Sequence, residues 1–275
     1  KLHFIFAALK SMKKIIFISL SLILLSCSKY QKVLKSTDFS MKYDKAIEFY
    51  NKGDFNRALP LLEELSSVYR GTDKSEEISY YYAYCNFGLE DYMLSSYLFN
   101  KYLSYFPKGK YVEECNFMSA FCYYKDSPRY SLDSKNTEIA INKLNDFINR
   151  FPNSEKVEES DKLINELREK LAKKQFENAK QYHKTENYKS AVIALNNALI
   201  DYPNYNERDE ILYLILESNY LLAINSISSK KEERLKETLM SYQMFVDNYD
   251  KSSRLKDANQ IKENTQKQLN LIKNN

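Results

Sequence analysis

The sequence predicts an all-α fold, a right-handed solenoid of about five helix–turn–helix repeats closed by a C-terminal capping helix. Three observations carry this. A stripe of a small residue followed by two larger ones, at i, i+4 and i+7, recurs five times with Ala198 as the one small replacement at the third position, and that spacing lies along one face of a helix. In three copies a second small residue stands twelve positions ahead of the stripe, as if two helices met at closely packed points. The chain has only 4 Gly and 5 Pro in 275 residues, fewer than a twisted sheet with many tight turns uses.

Element by element, the N-terminus comes first. Residues 1–11 contain no Met and read as an over-extended start, so they are set apart from the fold. Met12, Lys13 and Lys14 open a signal segment, 12–26, whose apolar run 15–25 is eleven residues long. A helix of that length falls short of a bilayer core of roughly 30 Å, so the segment reads as a processed signal within 1–26. Leu24-Leu25-Ser26-Cys27 resembles a bacterial lipobox, which makes Cys27 the expected lipidated first residue of the mature chain. Residues 27–38 then serve as a lipidated tether. After Cys27, Ser28-Lys29-Tyr30 lacks an acidic pair of the kind associated with surface export, which places the body in the periplasm.

The repeats follow. Their stripes are Ala58, Leu62 and Leu65; Ser95, Phe99 and Tyr102; Ala140, Leu144 and Phe147; Ala191, Leu195 and Ala198; and, more loosely, Thr238, Tyr242 and Phe245. The partner small residues are Ala46, Ala83 and Ala179. Turn cues sit between the two helices at Gly53-Asp54-Phe55, Glu90-Asp91-Tyr92 and Glu186-Asn187-Tyr188. Pro107, Pro152 and Pro203 end the second helix of their units. This is the tetratricopeptide pattern of 34 residues, with Tyr and Phe standing in for the consensus Trp, which the chain lacks. The expected units cover 39–72, 76–109, 113–154, 172–205 and 211–252, and a polar helix over 254–272 caps them. Units one to three form an N-terminal part, 39–154; units four and five and the cap form a C-terminal part, 155–275. The third and fifth units are each eight residues longer, which predicts inserted loops around 126–133 and 226–233.

In tetratricopeptide geometry the first helix of each pair lines a groove. The groove positions carry Tyr43, Ile47 and Tyr50, then Tyr80, Tyr84 and Phe87, then Phe117, Phe121 and Tyr124. Aromatic rings give large contact area at low entropic cost, so Tyr43, Tyr50, Tyr80, Tyr84, Phe117, Phe121 and Tyr124 are candidates to bind an extended peptide. The opposing reading is that they fill the core in place of Trp, and it is favoured for Tyr81, Tyr82 and Tyr123. In the fourth unit the groove turns basic, through Phe176, Lys180 and His183. Lys180, Lys184, Lys230, Lys231 and Arg234 are candidates for a partner-binding surface, although each alone also reads as a solvated helix residue.

Catalysis is poorly supported. The chain has 2 His, one of them in 1–11, and His183 reads as a solvated helix residue. There is no Gly-rich phosphate loop and no metal-type Cys/His spacing, so neither cofactor nor metal is expected. The pairs Glu63-Glu64, Glu113-Glu114 and Glu158-Glu159 read as solvated helix faces. Cys115 and Cys122, about two turns apart on one helix, stand roughly 10 Å apart, too far for a disulfide; with Cys85 they read as small core residues. A net charge of +4 with both signs interspersed does not call for nucleic acid.

Several segments together resemble the BamD-type family of outer-membrane β-barrel assembly lipoproteins. They are the lipobox at Cys27, Tyr50-x2-Gly53-Asp54-Phe55-x2-Ala58, the stretch Phe121-Cys122-Tyr123-Tyr124-Lys125-Asp126-Ser127-Pro128-Arg129-Tyr130, and Phe147-Ile148-Asn149-Arg150-Phe151-Pro152-Asn153-Ser154. The low-Gly, Lys/Asn/Tyr-rich composition is similar to the Bacteroidetes branch. The resemblance implies a non-enzymatic scaffold, lipid-anchored in the inner leaflet of the outer membrane. Its implied partners are the periplasmic domains of the BamA insertase and unfolded β-barrel proteins. It assigns substrates to the N-terminal repeats and BamA to the C-terminal ones. Two alternatives stay open: a SusD-like or other repeat lipoprotein binding glycan or peptide, and a peptidoglycan-associated enzyme or helper. SusD-type chains are about twice as long and carry Trp-bearing loops.

Overall fold

A computed structural model describes residues 29–274. The signal 1–26 and the lipidation candidate Cys27 lie outside the described residues. After a short helical stretch, 29–34, eleven helices follow among the described residues, with no strand. They are α1 (Phe39–Asn51), α2 (Phe55–Val68), α3 (Lys74–Gly88), α4 (Tyr92–Tyr105), α5 (Val112–Asp126) and α6 (Lys135–Arg150). Then come α7 (Val157–Lys184), α8 (Tyr188–Asp201), α9 (Arg208–Ile224), α10 (Ser228–Asn248) and α11 (Leu255–Lys273). The all-α repeat architecture expected from the periodicity is the one observed.

The chain forms two compact units. The first holds the described residues up to Asp126 together with Asn142–Val157; the second holds Ser127–Ile141 and the described residues from Glu158 onward. In the first, α1 packs on α2, α2 on α3, α3 on α4 and α4 on α5. In the second, α9 packs against α8, α10 and α11.

The small-residue pairs sit where helices approach most closely. Ala46, Ala58, Ala83, Ser95, Ala179 and Ala191 are fully buried. At Ser95 the approach is close enough for the hydroxyl to donate to the Ala83 carbonyl at 3.0 Å. The large stripe residues Leu62, Leu65, Phe99, Phe147 and Leu195 fill the space beyond them and are also buried.

The turns between paired helices share one design. Gly53, Glu90 and Glu186 all take positive φ, 71°, 63° and 61°. The next backbone N–H reaches back five residues in each case: Asp54 to Phe49 at 2.9 Å, Asp91 to Asn86 at 3.0 Å, and Asn187 to Tyr182 at 2.9 Å. This is the Schellman closure, which satisfies carbonyls left open at a helix end. Asp54 and Asp91 then cap the following helix, their carboxylates accepting from the N–H groups of Arg57 and Leu94.

Three expectations are corrected. The fourth unit does not begin at 172: its first helix, α7, starts at Val157 and runs 28 residues. The region 157–171 follows a helical apolar stripe, with Leu163, Ile164 and Leu167 buried, but carries no repeat signature. The fifth insertion is not a loop. Only Asn225, Ser226 and Ile227 separate α9 from α10, and the extra residues lengthen those helices to 17 and 21. The third insertion is a loop, 127–134. Finally, the segment after Cys27 is not a free tether. Tyr30, Val33 and Leu34 pack against the core formed by α1 and α2, and the Tyr30 hydroxyl donates to the Arg57 carbonyl at 3.1 Å.

Candidate functional site

The first helices of the repeats in the first unit, α1, α3 and α5, carry aromatic residues three and four positions apart. Spacing of that kind stacks side chains along one helix face. The structure joins them across helices. Tyr50 on α1 meets Tyr81 on α3 with ring centroids 4.7 Å apart, edge to face. Tyr81 meets Tyr80 at 5.4 Å, and Tyr80 meets Tyr84 at 4.8 Å. Tyr111 stacks flat on Tyr80 at 4.0 Å. Tyr84 leads to Phe87, Phe87 to Phe121 on α5 at 5.8 Å, and Phe121 to Tyr124 at 5.6 Å, stacked. Offset and edge-to-face pairs in this distance range add roughly 0.5–1.5 kcal/mol each beyond their burial. The result is an unbroken run of rings from α1 to α5.

Tyr43, Tyr50, Tyr80, Tyr84, Phe121 and Tyr124 are half-buried, so each keeps part of its ring open. Phe117 departs from the expected groove set. It is 2% exposed, stacks on Phe121 and meets Phe147 edge-on at 5.5 Å, so it belongs to the core. Tyr81 and Tyr82 pack against the first core cluster but are also only half-buried.

The hydroxyls have partners that the sequence reading did not assign. Tyr43 donates to Glu77 at 2.5 Å, and Tyr84 donates to Glu114. Each acceptor lies on the next first helix, so the bonds tie neighbouring repeats together. In the second unit His183, at the repeat position of Tyr50 and Phe87, makes a comparable link: its ring contacts the Ser218 hydroxyl at 2.9 Å and the Glu217 carboxylate at 3.2 Å. His183 is thus an inter-repeat contact, not a solvated residue. Glu114 and Glu64 are likewise not free surface acids: Glu64 holds the ammonium of Lys42, which is 2% exposed, at 2.6 Å. The available signal was an acid about one repeat period, 34 residues, after a groove tyrosine.

A second set of carboxylates latches the repeat ends. Glu76, in the first turn of α3, accepts from the Tyr102 hydroxyl and from the N–H of Lys110, both at 2.6 Å. Glu113 on α5 accepts from Ser154 at 2.5 Å. On α9, Glu210 takes the Arg254 guanidinium through two bonds of 2.9 Å. Each latch joins the start of a first helix to the segment that follows its paired second helix.

Burial first, then the nearby carboxylates, raises the pKa of Tyr43 and Tyr84. Burial likewise pushes Tyr80 up to about 12. The phenols are therefore neutral hydrogen-bonding groups at physiological pH. Cys85, Cys115 and Cys122 are free and buried. Burial pushes the Cys85 and Cys122 thiols up to about 12 and about 11, and raises Cys115 too, so none is a reactive thiolate. Among the described residues no cluster of His, Cys, Asp and Glu is arranged to hold a metal ion. The face presents ring surface, phenol oxygens and carboxylates.

The basic candidates lie on two helices of the second unit. Lys180 and Lys184 are near the end of α7, with the Lys180 ammonium 5.3 Å from the Phe176 ring centroid. Lys230, Lys231 and Arg234 occupy the first turns of α10; the Arg234 guanidinium is turned back onto the Ser226 hydroxyl. In the same unit, the 127–134 loop is held by α7. Lys170 donates to the Ser127 hydroxyl at 2.8 Å, Lys174 donates to the Leu132 carbonyl at 2.7 Å, and the Lys173 ammonium stands 4.9 Å from the Tyr130 ring centroid.

Comparison with known proteins places this architecture. The family model YfiO, described as outer membrane lipoprotein, matches residues 36–235. A relative from Pasteurella multocida is 19% identical over 232 residues, covering 81% of this chain and 89% of its own length. One from Caulobacter vibrioides is 18% identical over 217 residues, 79% of this chain and 71% of its own. One from Rickettsia prowazekii is 20% identical over 188 residues, 68% of this chain and 75% of its own. All three are named outer membrane protein assembly factor BamD.

Proposed function

The chain belongs to the YfiO family of outer membrane lipoproteins, and from that premise we propose that it is a non-enzymatic scaffold in outer-membrane β-barrel assembly. The run of half-buried rings from Tyr50 to Tyr124 is the observation that carries the reading. It offers contiguous aromatic area with hydrogen-bonding oxygens beside it, which suits an extended, partly apolar peptide. Unfolded β-barrel proteins supply such peptides in alternating apolar and polar order. Tyr43, Tyr50, Tyr80, Tyr84, Phe121 and Tyr124 are the contact candidates. Lys180, Lys184, Lys230, Lys231 and Arg234 of the second unit are the candidates to meet the periplasmic domains of BamA. Cys27 carries the lipid, which anchors the body on the periplasmic side of the outer membrane.

The test is affinity capture from detergent-solubilised outer membrane, with and without the paired substitution Tyr50→Ala and Tyr80→Ala. Wild type brings down BamA and unfolded β-barrel chains. The pair retains BamA and loses β-barrel chains, since a recognition hot spot is worth about 2 kcal/mol or more per residue. Full β-barrel recovery with the folded pair variant removes the aromatic face from the site. Recovery of a TonB-dependent transporter in place of BamA overturns the assembly role.

A further inference from the structure

Cys27 stands three residues before Tyr30, so a lipid on it lies within about 11 Å of chain from a docked side chain. The stretch 29–34 is helical, and its sides differ in character. Tyr30, Val33 and Leu34 form the side packed on α1 and α2. Lys29, Lys32 and Lys35 are exposed, and Lys32 and Lys35 project away from that packed side at helical spacing. No acidic residue lies between Cys27 and Asp38. Among the described residues, none of the three lysines is paired with a carboxylate.

We propose that residues 29–35 are a membrane-reading strap: their apolar side clips to the first repeat while their lysines seat on phosphate-bearing lipid headgroups. The strap rests on the lipid attachment at Cys27 for its position, since attachment holds it within the headgroup layer. Its chemistry is separate from the acyl chains. A basic cluster beside a lipid-modified residue adds an electrostatic attraction to anionic headgroups on top of the chains' own hold. Because Tyr30 is fixed to the Arg57 carbonyl, the lysines also orient the first unit: they set which of its sides faces the bilayer. A free linker would leave that orientation open.

The experiment uses the chain from residue 27 to 275 with Cys27→Ser, which retains every described residue but bears no lipid, so failure of lipidation does not affect the result. Binding is measured by co-sedimentation with vesicles of pure phosphatidylcholine and with vesicles containing about 30% phosphatidylglycerol. The expected result is preferential binding to the anionic vesicles, weakening steeply as salt is raised. Each lysine near an anionic surface is worth roughly fivefold, so Lys29→Gln, Lys32→Gln and Lys35→Gln together lower anionic-vesicle affinity on the order of 100-fold. Unchanged affinity of the triple variant, or equal binding to both vesicle types, overturns the proposal. Docking is read separately by tryptic cleavage after Lys32 and Lys35: slow in wild type, at least about tenfold faster in Tyr30→Ala. Equal cleavage rates overturn the clipped orientation. Circular dichroism confirms that each variant is folded.

Discussion

Helices α3 and α9 occupy the same place in their repeats, yet they are built from different chemistry. On α3 the sequence Tyr80-Tyr81-Tyr82-x-Tyr84 leaves every one of those tyrosines half-exposed. On α9 six consecutive residues, Ile211 to Leu216, are buried. Six consecutive positions go more than once around a helix, so α9 must be covered on all sides. Its cover comes from α8, α10 and the C-terminal helix α11. The first-helix face that remains open in the first unit is thus occupied by the chain itself in the second. An open face needs residues that tolerate both water and contact, and tyrosine is amphipathic in that sense. A closed face needs aliphatic volume, and Leu and Ile supply it.

Alkaline titration gives the largest separation between the two units. The first unit holds Tyr43, Tyr50, Tyr84 and Tyr102, all raised chiefly by burial, with Tyr80 up to about 12. It also holds the thiols of Cys85 at about 12 and Cys122 at about 11. These groups keep their protons in the folded state while the unfolded chain loses them from pH 9 to 10 upward. Their contribution is therefore complete below that range and is lost as pH climbs through the folded values. The second unit has no cysteine and fewer such phenols, among them Tyr213 at about 12. Amide exchange followed between pH 9 and 12 should show α3 and α5 opening before α9. The reverse order would break the comparison.

Next in size is Leu216→Ala on the closed face. Leu216 is fully buried, and removing such a side chain costs about 2–5 kcal/mol. Urea unfolding of this variant should show that loss in the second unit. Gly88→Ala sharpens the comparison from the other side. A Cβ at Gly88 would stand 2.2 Å from the Phe55 ring, which itself packs edge-on against Tyr50 at 5.8 Å. Overpacking of this kind costs about 1–3 kcal/mol. The same melt should locate it in the first unit, with weakened peptide binding because Tyr50 is displaced.

The smallest effect is a gain. Glu90 and Glu186 hold the left-handed conformation that Gly53 holds in the first turn. A non-glycine residue there is strained by about 1–2 kcal/mol, partly offset by the greater unfolded freedom of glycine. Glu90→Gly and Glu186→Gly should each raise stability by up to about 1 kcal/mol, one in each unit. A loss in both would mean that the glutamate side chains stabilise more than their backbones are strained.

The sequence alone determined the helices, their pairing and their small-residue contacts. Those features repeat at 3.6 and 34 residues and depend on neighbours close in the chain. Ala46 against Ala58 and Ala179 against Ala191 were legible for that reason, and the longer third unit signalled a loop expected at 126–133 and found at 127–134. What lay outside a repeat signature was not legible. Residues 157–171 of α7 are an ordinary amphipathic helix, and the fifth insertion merely lengthened two helices. Only the tertiary structure decided which aromatic residues stay open. Phe117 and Phe121 are four apart on one helix and look alike in sequence, but Phe147 from α6 meets the first and leaves it buried. It also decided the partners of Glu76, Glu114 and Glu210, and turned the expected tether into a segment docked by the packing of Tyr30, Val33 and Leu34 and a bond from Tyr30. A carboxylate's role depends on which hydroxyl or guanidinium the fold brings to it from 26 to 44 residues away, and local periodicity holds no record of that.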